Sequence, residues 1–295
     1  MKLPLLGLAA ALLVIPAWGT AALAATSDPQ RILIVADRAV PAYRDAAEGL
    51  KRGLSELGDA TEIAPAAVAT ALASGPVRLA VAIGVEARAA LTRAKTRIPV
   101  ISTMISMSDL AGEPLARPVG SIYLDLDFAQ IAHEVGRLFP DKKRLGLILP
   151  SRKDGPNKAT LSRLTQEGFQ LTIAASANRA GLVDAVKELK GKVDLVICLP
   201  ETGLFDSRTI PQLLRVSLED QLPVIGYSPN FVRAGALAGV FPDYTDIGLQ
   251  TAAMVKRALA NAAADAGDET PRKVASITNP TVMRLLGWKL SQAQQ

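Results

Sequence analysis

Few residues of this sequence have the types and the spacing that catalysis requires. The 295 residues include one histidine, His133, and one cysteine, Cys198. His133 lies inside a predicted helix, and Cys198 lies in the apolar run VDLVICL, where we interpret it as a buried small hydrophobe. One thiol forms no internal disulfide, and one residue of each type provides neither a usual zinc site nor a histidine-dependent triad. We therefore predict that the protein is not an enzyme and needs no cofactor.

Asp125 and Asp127 form the motif DLD, which has the spacing of a metal site for a nucleotide sugar. Two carboxylates at alternate strand positions point to the same face, so they can share a divalent cation. Asp127 also precedes the apolar-periodic segment that begins at Phe128, where aspartate is a preferred helix N-cap. We favour the capping role and predict no metal site. The alternative is an exported two-lobe enzyme of glycosyltransferase type that uses both carboxylates.

The first residues have the pattern of a secretory signal peptide. Lys2 is a short basic region, residues 3–18 are apolar, and Ala-Leu-Ala at 22–24 fits a small-x-small cleavage site. We predict cleavage after Ala24 and a periplasmic location. The alternative is a retained anchor, against which Pro16 and the short apolar run argue. The cleavage site has no cysteine, so we predict that the protein is not a lipoprotein.

The charged residues do not have the sequence pattern that is typical of nucleic-acid binding. The formal net charge is +5 at neutral pH, and acidic and basic residues are interspersed without a long basic run. Basic and aromatic residues do not alternate along any segment. Nucleic acid is therefore not a predicted partner.

Hydrophobic periodicity predicts strands that alternate with helices. We predict strands at 31–36, 61–63, 78–84, 98–103, 144–149, 170–174, 193–199 and 223–227, and helices at 41–57, from 85, at 128–139, from 158, at 179–189 and at 207–218. Such alternation is typical of right-handed βαβ units with parallel sheets. The pattern lapses at 113–118 and then restarts, which predicts an α/β protein of two Rossmann-like lobes, each a parallel sheet flanked by helices.

Residues 223–259 combine a strand, a polar break at 228–230, a second apolar run at 235–241 and a helix that opens at 242–246. Polar loops of this kind follow the carboxyl ends of strands. Open α/β sheets bind their ligands at those ends.

Several segments resemble the solute-binding proteins of ABC transporters, in the branch of type I periplasmic binding proteins that includes aromatic amino acid binders. The resemblance rests on PVIGYS at 223–228, VRAGALA at 232–238, DYTDIG at 243–248, AIGVEARAAL at 82–91 and LFPDKKRLG at 138–146. Asn-Pro-Thr at 279–281 and Leu-Leu-Gly at 285–287 resemble the carboxyl end of that family. The resemblance extends over nearly all of the predicted mature chain, in loose motifs that are dispersed along it.

The resemblance implies a hinge between the lobes and a small solute bound in the cleft, which closes around it. Crossovers are expected near 119–124, 239–242 and 270–274, with lobe 1 at 25–118 and 240–270 and lobe 2 at 119–239 and 271–295. The implied partners are a small-molecule solute and an ABC permease in the inner membrane, and we expect a monomer. A ligand sensor that partners a membrane receptor is an alternative with the same fold.

The resemblance also directs attention to ten candidate ligand-binding residues. From lobe 1 these are Asp37, Glu86, Thr103 and Met104, and from lobe 2 they are Ser151, Arg152, Asn157, Glu201, Tyr227 and Asp243. Arg152 is a candidate partner for a ligand carboxylate, and Tyr227 for an apolar ligand. The loops at 151–157 and 200–203 differ from the family pattern, so the sequence leaves the identity of the ligand open.

Overall fold

The computed structural model describes residues 31–57, 60–108, 114–201, 203–261 and 266–289. The predicted signal peptide and its cleavage site lie outside these residues. No helix within the described residues is long and apolar enough to cross a bilayer.

The first of two six-stranded sheets has the order β11-β5-β4-β3-β1-β2, and all its neighbouring strands are parallel. Its strands are β1 (Ile32–Ala36), β2 (Ala60–Ile63), β3 (Leu79–Ile83), β4 (Val100–Ile105), β5 (Pro118–Tyr123) and β11 (Gly267–Glu269). The accompanying helices are α1 (Pro41–Gly53), α2 (Val68–Ala73), α3 (Val85–Arg93) and α9 (Tyr244–Ala260).

The second sheet has the order β12-β10-β9-β8-β6-β7 and is parallel except for β12, which runs antiparallel to β10. Its strands are β6 (Arg144–Leu149), β7 (Gln170–Ala175), β8 (Leu195–Ile197), β9 (Val224–Gly226), β10 (Ala238–Pro242) and β12 (Val274–Thr278). Its helices are α4 (Phe128–Leu138), α5 (Lys158–Gln166), α6 (Leu182–Leu189), α7 (Thr209–Glu219), α8 (Pro229–Ala234) and α10 (Pro280–Leu286). The predicted fold of two parallel α/β lobes is confirmed.

Each sheet is covered by side chains on both faces, which explains its continuous apolar strands. In β1 every residue is buried. Ile32 and Ile34 belong to one hydrophobic cluster, and Leu33 and Val35 belong to another. Alternate residues of a strand point to opposite faces, so both faces of this sheet must be apolar.

The chain passes between the two sheets three times, at residues 124–127, at Asp243 and at residues 270–273.

Two strands belong, for most of their length, to a different sheet from the one that the boundaries expected from the sequence assign to them. Strand β5 pairs with β4, so the first sheet extends to Tyr123 rather than ending at 118. Strand β10 pairs with β9, so the chain leaves the second sheet after Pro242 rather than before residue 240. These pairings are long-range, and hydrophobic periodicity carries no information about them.

Two local expectations also differ from the structure. Helix α1 ends at Gly53 and a separate 3-10 turn covers Ser55–Leu57, although periodicity predicted one helix to residue 57. The segment 228–230, predicted as a polar break, contains the start of helix α8, with Pro229 at the first helical position. Proline has no backbone N–H. It is favoured at this position because the N–H of the first helical residue has no hydrogen-bond partner within the helix.

Candidate functional site: a cleft between the lobes

A cavity of about 310 Å³ lies between the two lobes. It is lined by residues at or just beyond the carboxyl ends of strands in both sheets, together with the middle residue of β10, the first residue of α9 and one residue of α4. The lining residues are Ser106, Leu124, Asp125, Leu126, Ile131, Leu199, Pro200, Glu201, Tyr227, Ser228, Val240, Pro242 and Tyr244. The volume and the mostly apolar lining are typical of a small-molecule site.

Tyr227 follows β9 and contributes to the wall of the second lobe. Its ring meets the ring of Phe231 nearly edge-on, with 4.9 Å between the centroids, and lies 6.4 Å from the ring of Phe205. Burial raises the pKa of the Tyr227 phenol to about 12. The hydroxyl is therefore protonated at neutral pH, and the ring is held in place by two other aromatic side chains.

Tyr244 lies on the first-lobe side of the same cavity, in the first turn of α9. The N-cap of that helix is Asp243, whose carboxylate accepts a hydrogen bond from the backbone N–H of Asp246 at 3.0 Å. The ring of Tyr244 stacks on Phe241 with 5.6 Å between centroids. Burial, with a smaller contribution from Asp45, raises its pKa to about 12. The cavity thus has a protonated phenol on each side.

Glu201 is the acidic group of the second-lobe wall. The side chain is half-buried, and within the described part of the chain it forms no ion pair. Burial raises the pKa of the Glu201 carboxyl, and the negative charges of Asp154 and Asp125 raise it further. Burial and the neighbouring negative charges therefore disfavour the ionised form of Glu201.

Glu201→Gln is expected to stabilise the unliganded protein at neutral pH. Because the folded state raises the pKa of Glu201, its contribution to stability is full below the pKa of the unfolded chain and is lost as the pH rises through the folded value. Glutamine imitates the protonated carboxyl at every pH. The thermal midpoints of the wild type and of Glu201→Gln should agree near pH 4, and the variant should have the higher midpoint at pH 7, by roughly 1–2 °C. The difference is small because the carboxyl keeps contact with water. Differential scanning calorimetry across that range would contradict this if the wild type were the more stable at pH 7.

Asp125 and Asp127 have different environments. Asp125 is half-buried at the cavity and accepts a hydrogen bond from the backbone N–H of Met107 at 2.8 Å, which ties it to the first lobe. Asp127 does not line the cavity, and it accepts from the Ala129 N–H at 3.2 Å as the N-cap of α4. Gln130 completes a capping box by accepting from the Asp127 N–H at 3.0 Å. The capping interpretation of Asp127 is confirmed.

Within the described ranges, no group of three or more His, Cys, Asp or Glu side chains is arranged to hold a metal ion. The cavity therefore offers apolar walls, two phenols, two carboxylates and the hydroxyls of Ser106 and Ser228.

Two of the ten predicted ligand-binding residues, Glu201 and Tyr227, line this cavity together. Thr103 and Met104 are buried in the first lobe, where the hydroxyls of Thr103 and Thr251 are 3.2 Å apart. Met104 has a φ of 58°, in the left-handed region, at the end of β4. Both side chains lie below the cleft surface, and Ser106 reaches the cavity instead.

The other six predicted residues do not line the cavity either. Asp37 and Glu86 are exposed at the edge of the first sheet and the start of α3. Ser151 and Asn157 cap a 3-10 turn and α5, and Asp243 caps α9. Arg152 pairs with Glu188 at 2.5 Å on the outer surface.

Ser106 and Tyr244 are cavity residues that the sequence did not single out. Ser106 follows β4 directly, so the rule that ligands bind at carboxyl ends of strands points to it. Tyr244 lies on a helix of the first lobe, and only the crossover at Asp243 brings it to the cleft. Its position depends on the path of the chain between the lobes, which periodicity does not determine.

Two parallel α/β sheets, three crossovers and a cavity at the strand ends of both sheets define a two-lobed binding-protein architecture. Residues 41–293 match the sequence model of the family described as ABC transporter substrate binding protein. The chain belongs to that family.

Individual relatives agree with this assignment. The chain is 26% identical over 192 residues to a tyrosine-binding protein from Clostridioides difficile strain R20291, a match that covers 61% of this chain and 54% of that protein. The chain thus spans about half the length of this curated relative.

Solved structures show the same fold. One is the ligand-free, open structure of a substrate binding protein with adhesive properties from Clostridium difficile, with a TM-score of 0.64, 19% identity, and coverage of 90% of this chain and 97% of the other. Another is the ABC domain in complex with L-Trp from Streptococcus pneumonia, with a TM-score of 0.54, 19% identity and coverage of 89% and 96%.

Proposed function

We propose that this protein is the periplasmic solute-binding component of an ABC-type uptake system. It captures a small molecule in the cleft between its lobes and presents the closed form to a permease. The observation that carries the proposal is the cavity of about 310 Å³ whose walls come from both lobes. Family membership supports it.

Closure follows from contacts that a ligand makes with both lobes at once. A ligand favours a closed form only by the difference in its binding free energy between the two states. Ser106 and Tyr244 provide contacts from the first lobe, and Glu201 and Tyr227 provide them from the second. The crossovers at 124–127, Asp243 and 270–273 would act as the hinge.

Binding without chemical conversion fits the groups at the cleft. Cys198 is buried, and burial raises the pKa of its thiol, which disfavours the nucleophilic thiolate. His133 is exposed on α4 and lies 3.5 Å from a carboxylate oxygen of Glu167 rather than at the cavity. Neither residue is placed to act on a bound solute.

The proposal can be tested by native mass spectrometry of the protein purified from its periplasm. We expect one copurified small molecule per chain, released unchanged on denaturation. That molecule at about 100 times its Kd should add about 2.7 kcal/mol to the free energy of unfolding. Aromatic amino acids belong in the accompanying screen because relatives are named for tyrosine and solved with L-Trp.

Ser106→Trp is expected to abolish the copurified molecule, because an indole would occupy the cavity from the first lobe. Ser162→Trp on the exposed face of α5 is the matched control and should retain it. Absence of any bound or stabilising solute, or turnover of a nucleotide sugar by the wild type, would overturn the proposed function.

A further inference from the structure

We propose that the solute is an organic cation. It carries a protonated amine and an apolar group about the size of an aromatic ring, and it has no carboxylate. This rests on the proposed function and specifies the chemistry of the same cleft.

The charges of the cavity wall have one sign. Its two ionisable groups other than the phenols are Asp125 and Glu201, and none of the described lining residues is Lys, Arg or His. Two basic side chains that lie outside this lining pair with other carboxylates. Arg152 pairs with Glu188 at 2.5 Å, and Lys273 pairs with Asp246 at 2.8 Å. Among the described lining residues, a ligand carboxylate would therefore meet two acidic side chains and no basic one.

Glu201 gives the strongest preference for a cation. Its side chain is half-buried and forms no ion pair within the described residues, so its negative charge is only partly solvated. A protonated amine at hydrogen-bond distance would remove that cost and add a charge-assisted hydrogen bond. A neutral or anionic solute would not compensate the negative charge of Glu201 in this way.

The two carboxylates also connect ligand charge to closure. Asp125 is tied to the first lobe through the Met107 N–H, whereas Glu201 follows β8 in the second lobe. Like charges on opposite sides of a closing cleft repel each other. An amine between them would convert this repulsion into attraction, so closure would depend on a bound cation.

The remaining wall specifies the rest of the ligand. Seven lining residues are aliphatic or proline, and the rings of Tyr227 and Tyr244 lie one on each side. Aromatic faces attract cations and pack against flat apolar groups. An arylalkylamine satisfies the carboxylates and the apolar wall together.

The test compares three molecules with the same phenol ring by isothermal titration calorimetry: tyramine, L-tyrosine and 3-(4-hydroxyphenyl)propionate. We expect tyramine to bind about tenfold more tightly than L-tyrosine and at least about 100-fold more tightly than the propionate, because like charges facing each other in a desolvated site are costly. Tighter binding of L-tyrosine or of the propionate than of tyramine would overturn the proposal.

Glu201→Gln should weaken tyramine binding by about 30-fold or more, the cost of removing one partner of a charge pair that closure of the cleft would bury. Glu219→Gln makes the same change in charge on the exposed face of α7 and should leave the affinity unchanged. An unchanged affinity in Glu201→Gln would overturn the assignment of the cation to this carboxylate.

The charge of the copurified solute separates this inference from the proposed function. A cationic solute supports both. An anionic, zwitterionic or neutral solute overturns the inference and leaves the solute-binding function standing. If no solute copurifies and no member of the screen binds, the proposed function itself fails.

Discussion

Gly248→Ala is expected to lower the free energy of unfolding by about 2 kcal/mol. Helices α1 and α9 form the most extensive helix contact of the first lobe, and Gly248 lies where their backbones meet. A Cβ atom on Gly248 would overlap the carbonyl oxygen of Ala46 and lie 2.6 Å from the backbone nitrogen of Leu50. Backbone atoms cannot rotate away, so the overlap costs about 3 kcal/mol, and the better helix propensity of alanine returns about 1 kcal/mol.

Gly203→Ala is the matched control for this substitution. A Cβ atom on Gly203 would have no heavy atom within 4 Å, so we expect a change within about 0.5 kcal/mol. Urea unfolding followed by circular dichroism measures both variants. If Gly248→Ala lowered the free energy of unfolding by less than Gly203→Ala does, the two helices would be able to separate without cost.

The position of Gly248 also connects stability to the cleft. Helix α9 begins at Tyr244 on the cavity wall and packs against α1 four residues later. The close contact of the two helices therefore sets the position of Tyr244. The stability of the first lobe and the position of Tyr244 at the cavity therefore depend on the same close contact between the backbones of α1 and α9.

The two-lobe fold could be predicted because its signals are local. Strands such as β1 and β3 are buried along their whole length, and their continuous apolar runs are visible in the sequence. The sheet to which β5 belongs was harder to predict from the sequence. Its sequence, PVGSIY, has no feature that selects β4 over a strand of the other lobe.

The cleft was predicted in part. Glu201 and Tyr227 follow apolar strands, so the rule for strand ends found them. Arg152 also lies in a strand-end loop, but Glu188 of α6, 36 residues away, holds it on the outer surface. A partner so distant in sequence leaves no local pattern, and the same holds for the burial of Thr103 beneath α9.

The second large effect is expected at Phe231, which is 1% exposed and supports the cleft from within the second lobe. Phe231→Ala should lower the free energy of unfolding by about 3–5 kcal/mol, since it leaves a cavity between Phe205 and Tyr227. Tyr227 would lose the ring that it meets at 4.9 Å, so the affinity for the copurified solute should fall by about tenfold even in the folded protein.

Phe169→Ala separates the loss of stability from the loss of binding. Phe169 is 4% exposed in the core of the same lobe but lies before β7, at the end of the sheet opposite to the cleft. We expect a similar loss of stability with no change in affinity.

The fluorescence of Trp288 reports the unfolding of the second lobe, because its ring contacts Phe139 there. Trp288 is the only tryptophan in a preparation that begins at residue 25. Equal affinities in the two variants would show that Tyr227 holds its position without Phe231; a loss confined to Phe231→Ala would show that one side chain of the core positions one wall of the cleft.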